Sequence, residues 1–321
     1  MTAITTSKLT HSLRERLTAN PIVLKELRGR MRGNRAYLVI TAYAGLMGLF
    51  AILLYLGYTA FVATNVYDSS SQMVGKVVFG GVVGVELFMV CFIAPAFTAG
   101  AISGERERQT YELLRTTLMP ARSLVLGKLT SALSFIILLL FIALPVQSLA
   151  FLFGGVALDE VLIALVILLS TALASGASGI FFSTLMRRTL GASVVTYAFA
   201  LVVVVGVPVV ALLALAFTGP YLGSSFYGGY YSPTAAEIMI QLLLMVGIWA
   251  LVCLNPLAAG FITEIMLISG EHNAFTMTTT IGGGTTVTLV GPWIPYTLIC
   301  LFASLIMILL SIQLVRRKES T

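Results

Sequence analysis

The sequence predicts an all-α polytopic membrane protein with six transmembrane helices, and three observations predict it. Of 321 residues, 58% are hydrophobic and 10% charged, against roughly a quarter charged in soluble domains. The apolar residues gather into runs of about 20 residues or more, the length a helix needs to cross a bilayer. The basic residues sit between those runs: eight fall between Lys8 and Arg35, five between Arg106 and Lys128, two at Arg187 and Arg188, and three at Arg316 to Lys318. Only Lys76 lies elsewhere. Basic clusters that flank apolar runs follow the positive-inside rule. The net charge of +6 therefore reads as membrane orientation, not as a face for nucleic acid. Cys91, Cys253 and Cys300 all lie in apolar runs and read as small buried hydrophobes, with neither disulfide nor zinc spacing.

Residues 1–35 are expected to form a cytoplasmic tail and an amphipathic interfacial helix. Asn20-Pro21 is a helix start, with Asn as N-cap and Pro in the first helical position. Lys25, Arg28, Arg30 and Arg32 then present positive charge to anionic headgroups. The first apolar run begins near Ala36, after this long basic leader, and is too long for a signal-peptide core, so no cleavable signal is expected.

Residues 36–318 read as a single transmembrane domain. Its spans are expected at about 36–58, 77–101, 124–153, 161–185, 191–217 and 293–314. Gly80 and Gly84 in the second span, and Ala174 to Gly179 in the fourth, suggest close helix packing. Pro145 suggests a kink, Gly206 with Pro208 suggests a bend, and Asp159-Glu160 marks a turn. The Thr/Gly-rich stretch 276–291 reads as a loop.

Parity decides the segment at 236–269. With the basic N-terminus inside, alternate crossings place Arg106 to Lys128 inside, Asp159 and Glu160 outside, and Arg187-Arg188 inside. The last span must return inward because three basic residues end it. The segment 236–269 must then begin and end outside. Two crossings need about 40 residues plus a turn, and 34 are present. A re-entrant helical hairpin with Asn255-Pro256 at its tip fits, packed against other helices because irregular backbone at membrane depth must be covered.

Between spans 2 and 3 lies a charged island, Ala101 to Lys128. Ser103 reads as a helix cap, Glu105 and Glu107 as acids favoured in a first turn, and the helix is expected over 103–118. Glu105, Arg108 and Glu112 recur at helical spacing and would present charge to a cytoplasmic partner.

The chain resembles the permease subunits of type-2 ABC exporters, the ABC-2 family. The resemblance covers most of the chain and rests on four matches: the Asn20-Pro21 interfacial helix before span 1, the motif E-R-E-R-x-T-x-E-L-L at Glu105 to Leu114, Pro120 with Gly127-Lys128 leading into span 3, and the outer hairpin between spans 5 and 6. One departure is Gln109, where the family commonly has Gly. The resemblance implies that the island is a coupling helix docking on an ATPase through Glu105, Arg106, Glu107, Arg108, Tyr111, Glu112, Leu113 and Leu114. No G-x-x-x-x-G-K-[ST] occurs, so the chain lacks a phosphate-cradling loop. It is not expected to be an enzyme or to carry a cofactor; ATP and magnesium would be bound by a separate ATPase subunit. Six spans are half the usual permease of this family, which implies a dimer, homomeric or heteromeric, in a bacterial-type cytoplasmic membrane with both termini inside.

Glu86 is the one acid well inside a regular span, where charge is costly. It reads either as part of a substrate path or as a group satisfied within the bundle. Asn255, Pro256 and Glu264 are candidates for an outer hairpin gate, with local pairing as the alternative for Glu264. Two other functions remain open on sequence: a non-transporting structural or assembly subunit of a larger membrane complex, and an ion-driven secondary transporter, which would want paired intramembrane charges and an internal repeat.

Overall fold

An apolar run inside a bilayer can satisfy its backbone only as a helix, and helix dominates the computed structural model, which describes residues 34–64, 71–110, 120–223, 234–268, 275–281 and 285–317. The expected interfacial helix, with Lys25, Arg28, Arg30 and Arg32, lies outside the described residues, as do Tyr111, Glu112, Leu113 and Leu114.

In chain order the elements are α1 (Asn34–Thr64), α2 (Ser71–Thr98), the short α3 (Ser103–Glu107), α4 (Ala121–Phe153), α5 (Leu158–Leu185), α6 (Thr189–Leu201), a π turn (Val202–Gly206), α7 (Val207–Gly223), α8 (Ala235–Val252), α9 (Pro256–Ile268), the strands β1 (Thr276–Ile281) and β2 (Thr285–Val290), and α10 (Trp293–Arg317). Among the described residues seven helices are long and apolar enough to cross a membrane. Six correspond to the expected spans. The seventh is α8, the first arm of the expected hairpin. Its 18 residues extend about 27 Å at 1.5 Å per residue, while the 13 residues of α9 reach only about 20 Å.

The core forms around α2 and α5. Phe79, Leu87 and Ala94 of α2 and Ile167, Leu168 and Ala172 of α5 are buried together with Ile136 of α4, Ala259 of α9 and Tyr296 of α10. A second cluster closes the island end: Ile102, Val125, Leu129, Ile180 and Val315. Small residues permit the close approach of α5 and α2, because a Cβ at Gly179 would run into Thr98. Gly84 behaves otherwise. A Cβ there would meet nothing within 4 Å, so it borders open space and not a packed helix.

Two further expectations change. In the stretch expected as a loop, Thr276–Ile281 and Thr285–Val290 are antiparallel strands, with Thr276 paired to Val290 and Ile281 to Thr285. Its β-branched residues favour a pleated ladder. The indole of Trp249 in α8 donates to the Val290 carbonyl at 3.1 Å, which ties the ladder to the bundle. Asp159 and Glu160 are not in a turn but in the first turn of α5. The turn itself is made by Gly154 and Gly155, at φ 79° and 88°, a region that favours glycine. α4 remains helical through Pro145. Just before Pro208, the expected site of a bend, Val202–Gly206 forms a π turn, one of the usual causes of helix bending.

Candidate functional site

The charged island is held to the protein more tightly than its composition suggests. Ser103 does not cap α3; Ile102 stands at the N-cap. The Ser103 hydroxyl instead reaches back to the Ala99 carbonyl at 3.2 Å. The hydroxyl oxygen of Ser183, in α5, accepts from the backbone N–H groups of Ile102 (2.9 Å) and Ser103 (3.0 Å). These are the donors a helix start leaves without intrahelical partners.

The continuous helix expected over 103–118 is interrupted. Gln109 has φ 59°. The N–H of Thr110 donates to the Glu105 carbonyl and that of Gln109 to the Arg106 carbonyl, at 3.0 and 3.1 Å. That pair of bonds around one left-handed residue is the Schellman ending, so α3 stops at Glu107. Gln109 thus occupies a position whose backbone suits Gly. Glu105 lies in α3 and Arg108 just beyond its end.

The motif's first charges turn inward. Glu105 pairs with the buried Lys128 of α4 at 3.2 Å and accepts from the Thr110 hydroxyl. Arg106 donates to the carbonyls of Thr184 (2.9 Å) and Met186 (3.2 Å), where a cation complements the negative end of α5. Glu107 accepts from the N–H and hydroxyl of Thr189, an acid at the positive start of α6. Glu107 and Arg108 are exposed, as are Arg187 and Arg188 on the α5–α6 turn and Arg122 on α4. Of the expected docking residues that are described, Glu105 and Arg106 therefore build the platform, and Glu107 and Arg108 stand on its surface.

At the other end of the bundle lies a second charged group that the sequence does not bring together. Lys76 of α2 pairs with Glu160 of α5 at 3.3 Å and donates to the Leu267 carbonyl of α9 at 2.8 Å. Glu264, also on α9, packs over Gly80, where a Cβ would meet its side chain. Glu160 Oε2 and Glu264 Oε1 are buried without a hydrogen-bond partner. Lys76, Glu160 and Glu264 line one end of a cleft of about 940 Å³ whose remaining lining is almost entirely apolar, from α1, α2, α5 and α9.

Glu86 does not line that cleft. It is fully buried and accepts from the Gln147 side-chain amide of α4 at 2.6 Å on one oxygen, while its Oε1 is buried without a hydrogen-bond partner. Asn255 is also fully buried. Its Oδ1 accepts from the Ala258 N–H at 2.7 Å, the N-cap bond, with Pro256 in the first position of α9. Its Nδ2 donates to the carbonyls of Val203 (2.6 Å) and Val204 (3.1 Å). Those carbonyls are the ones that Pro208, five and four residues on, cannot serve because it has no N–H. The hairpin tip is thus buried and joined to the π turn, packed against other helices as expected, and Glu264, in the second arm, lines the cleft.

Sequence reasoning missed the capping box of α8. The Thr234 side chain and the Glu237 backbone N–H meet at 3.4 Å, and Glu237 accepts from the Thr234 N–H at 2.8 Å. Its S/T-x-x-E signature was present in the sequence. The Lys76–Glu160 pair had no comparable signal, since 84 positions separate the two residues.

No family model matches the sequence, and no curated protein does. Function therefore rests on chemistry and geometry.

Proposed function

We propose that the chain is a permease subunit of an ATP-driven exporter of the ABC-2 type, working as a dimer with a separate ATPase. The observation that carries this reading is the joining of the island to the α5–α6 turn. Arg106 and Glu107 bind both sides of that turn, so a push on the island reaches α5 and α6 as well as α2. Arg108 beside α3, Arg122 at the start of α4, and Arg187 and Arg188 on the α5–α6 turn are all exposed, side chains suited to an acidic partner. In this reading six helices cross fully, α8 and α9 form the re-entrant hairpin from the opposite side, and both chain ends lie on the ATPase side. The reading is supported by the depth of the break at Asn255, buried as a non-helical backbone in a membrane must be.

Purification of the full chain from its native membrane tests this. The expected outcome is a co-purifying ATPase whose hydrolysis is stimulated by the chain, and whose stimulation falls when Arg108→Glu reverses the rim charge. A stable membrane complex that contains no ATPase would replace this reading with that of a structural subunit.

A further inference from the structure

We propose that the cleft between α1 and α9 binds a cationic amphiphile, a hydrocarbon chain ending in a protonated amine. The inference concerns binding and stands whether or not the chain exports. The cleft has α2 as its floor, α1 and α9 as its walls and α5 at its back. Its volume lies within the ~300–1,000 Å³ of small-molecule sites. Exposed Leu46, Phe50 and Phe261 stand at its rim, so it opens on the apolar flank of the bundle, where a chain can enter from lipid.

Charge selects the head group. Lys76 is already engaged by Glu160 Oε1 and the Leu267 carbonyl, and it gives no hydrogen bond to the remaining acceptors of the group. The Glu160 side chain is only 5% exposed, yet its Oε2 has no hydrogen-bond partner, and neither does Glu264 Oε1. A buried acceptor left without a donor is costly. A protonated amine supplies N–H donors together with a positive charge that favours carboxylate partners. A sulfate or phosphate head would add negative charge and no donor, and an uncharged chain would leave the acceptors as they are.

The test is saturation binding of radiolabelled dodecylamine, protonated at pH 7, to the full chain in phosphatidylcholine nanodiscs. Saturable binding is expected, displaced by excess unlabelled dodecylamine but not by dodecyl sulfate or dodecanol. Glu264→Gln should weaken it ~10-fold or more, the worth of a charge-assisted hydrogen bond. Gly84→Leu keeps the acids and fills the floor, and because its Cβ meets open space the fold should tolerate it; binding should fall by ~10-fold or more. Non-saturable partitioning, equal displacement by dodecanol or dodecyl sulfate, or unchanged affinity in folded Gly84→Leu would each overturn the proposal.

Discussion

At the island end, the acids of α3 meet donors: Glu105 has Lys128 and Thr110, and Glu107 has Thr189. At the opposite end, Glu160 and Glu264 each keep one oxygen without a partner. The same residue types thus serve two ends differently. Where charges are matched they fasten a short helix to its neighbours, and the surface left over is available for docking. Where carboxyl oxygens are left over beside an apolar cleft, the protein keeps an unmet demand for donors. Composition alone pointed the other way, because it marked the island as the charged feature and passed over Lys76 as a stray.

The strongest way to break this contrast is Lys76→Met. It leaves Glu160 buried and unpaired, and unfolding in detergent should show a loss of about 3–5 kcal/mol. The double variant Lys76→Met/Glu160→Leu should regain most of it, since it removes the orphaned charge as well; a double variant as unstable as the single one would show that the pair is not what matters. Ser183→Ala comes next. It strips the acceptor shared by Ile102 and Ser103, at a cost of about 1–3 kcal/mol, and chymotrypsin cleavage around the island should quicken as α3 loosens. Gln109→Gly should have a smaller effect of the opposite sign, a gain of up to ~1 kcal/mol, because Gly accepts the left-handed backbone that costs other residues about that much. Arg108→Ala should leave stability unmeasurably changed, since the side chain is exposed, while lowering stimulation of a partner ATPase. A clear drop in melting temperature would mean that Arg108 belongs to the platform and not to its rim.

Much of the fold was legible because membrane helices announce themselves locally. Six of the seven long apolar helices overlap the expected spans, though α1 runs on to Thr64 and α2 begins at Ser71, and Asn255-Pro256 marked the α8–α9 break by its own chemistry. The β-hairpin was not read because the Thr-rich stretches beside Gly282 resemble a loop in composition, although alternating Thr, Val and Ile carried the strand signal. The cleft charges were illegible for a different reason. Lys76, Glu160 and Glu264 come from three helices, and only the packing of α2, α5 and α9 brings them to one place. Likewise Pro208 foretold a bend, but nothing local foretold that an amide 47 positions later would take over its missing donor.

The π turn carries one more consequence. A turn of this kind holds one residue more than an α turn, and here it falls on the four consecutive valines 202–205. Deleting any one of them yields the same protein, and that protein would return α6 and α7 to a single α-helical count. Because the wider turn absorbs the extra residue, closing it would leave α7 in nearly the same rotational phase against α8, the neighbour it packs against. What the extra valine supplies is therefore loosened backbone, and a shortened tract should keep the helix aligned while withdrawing a carbonyl that Asn255 now uses.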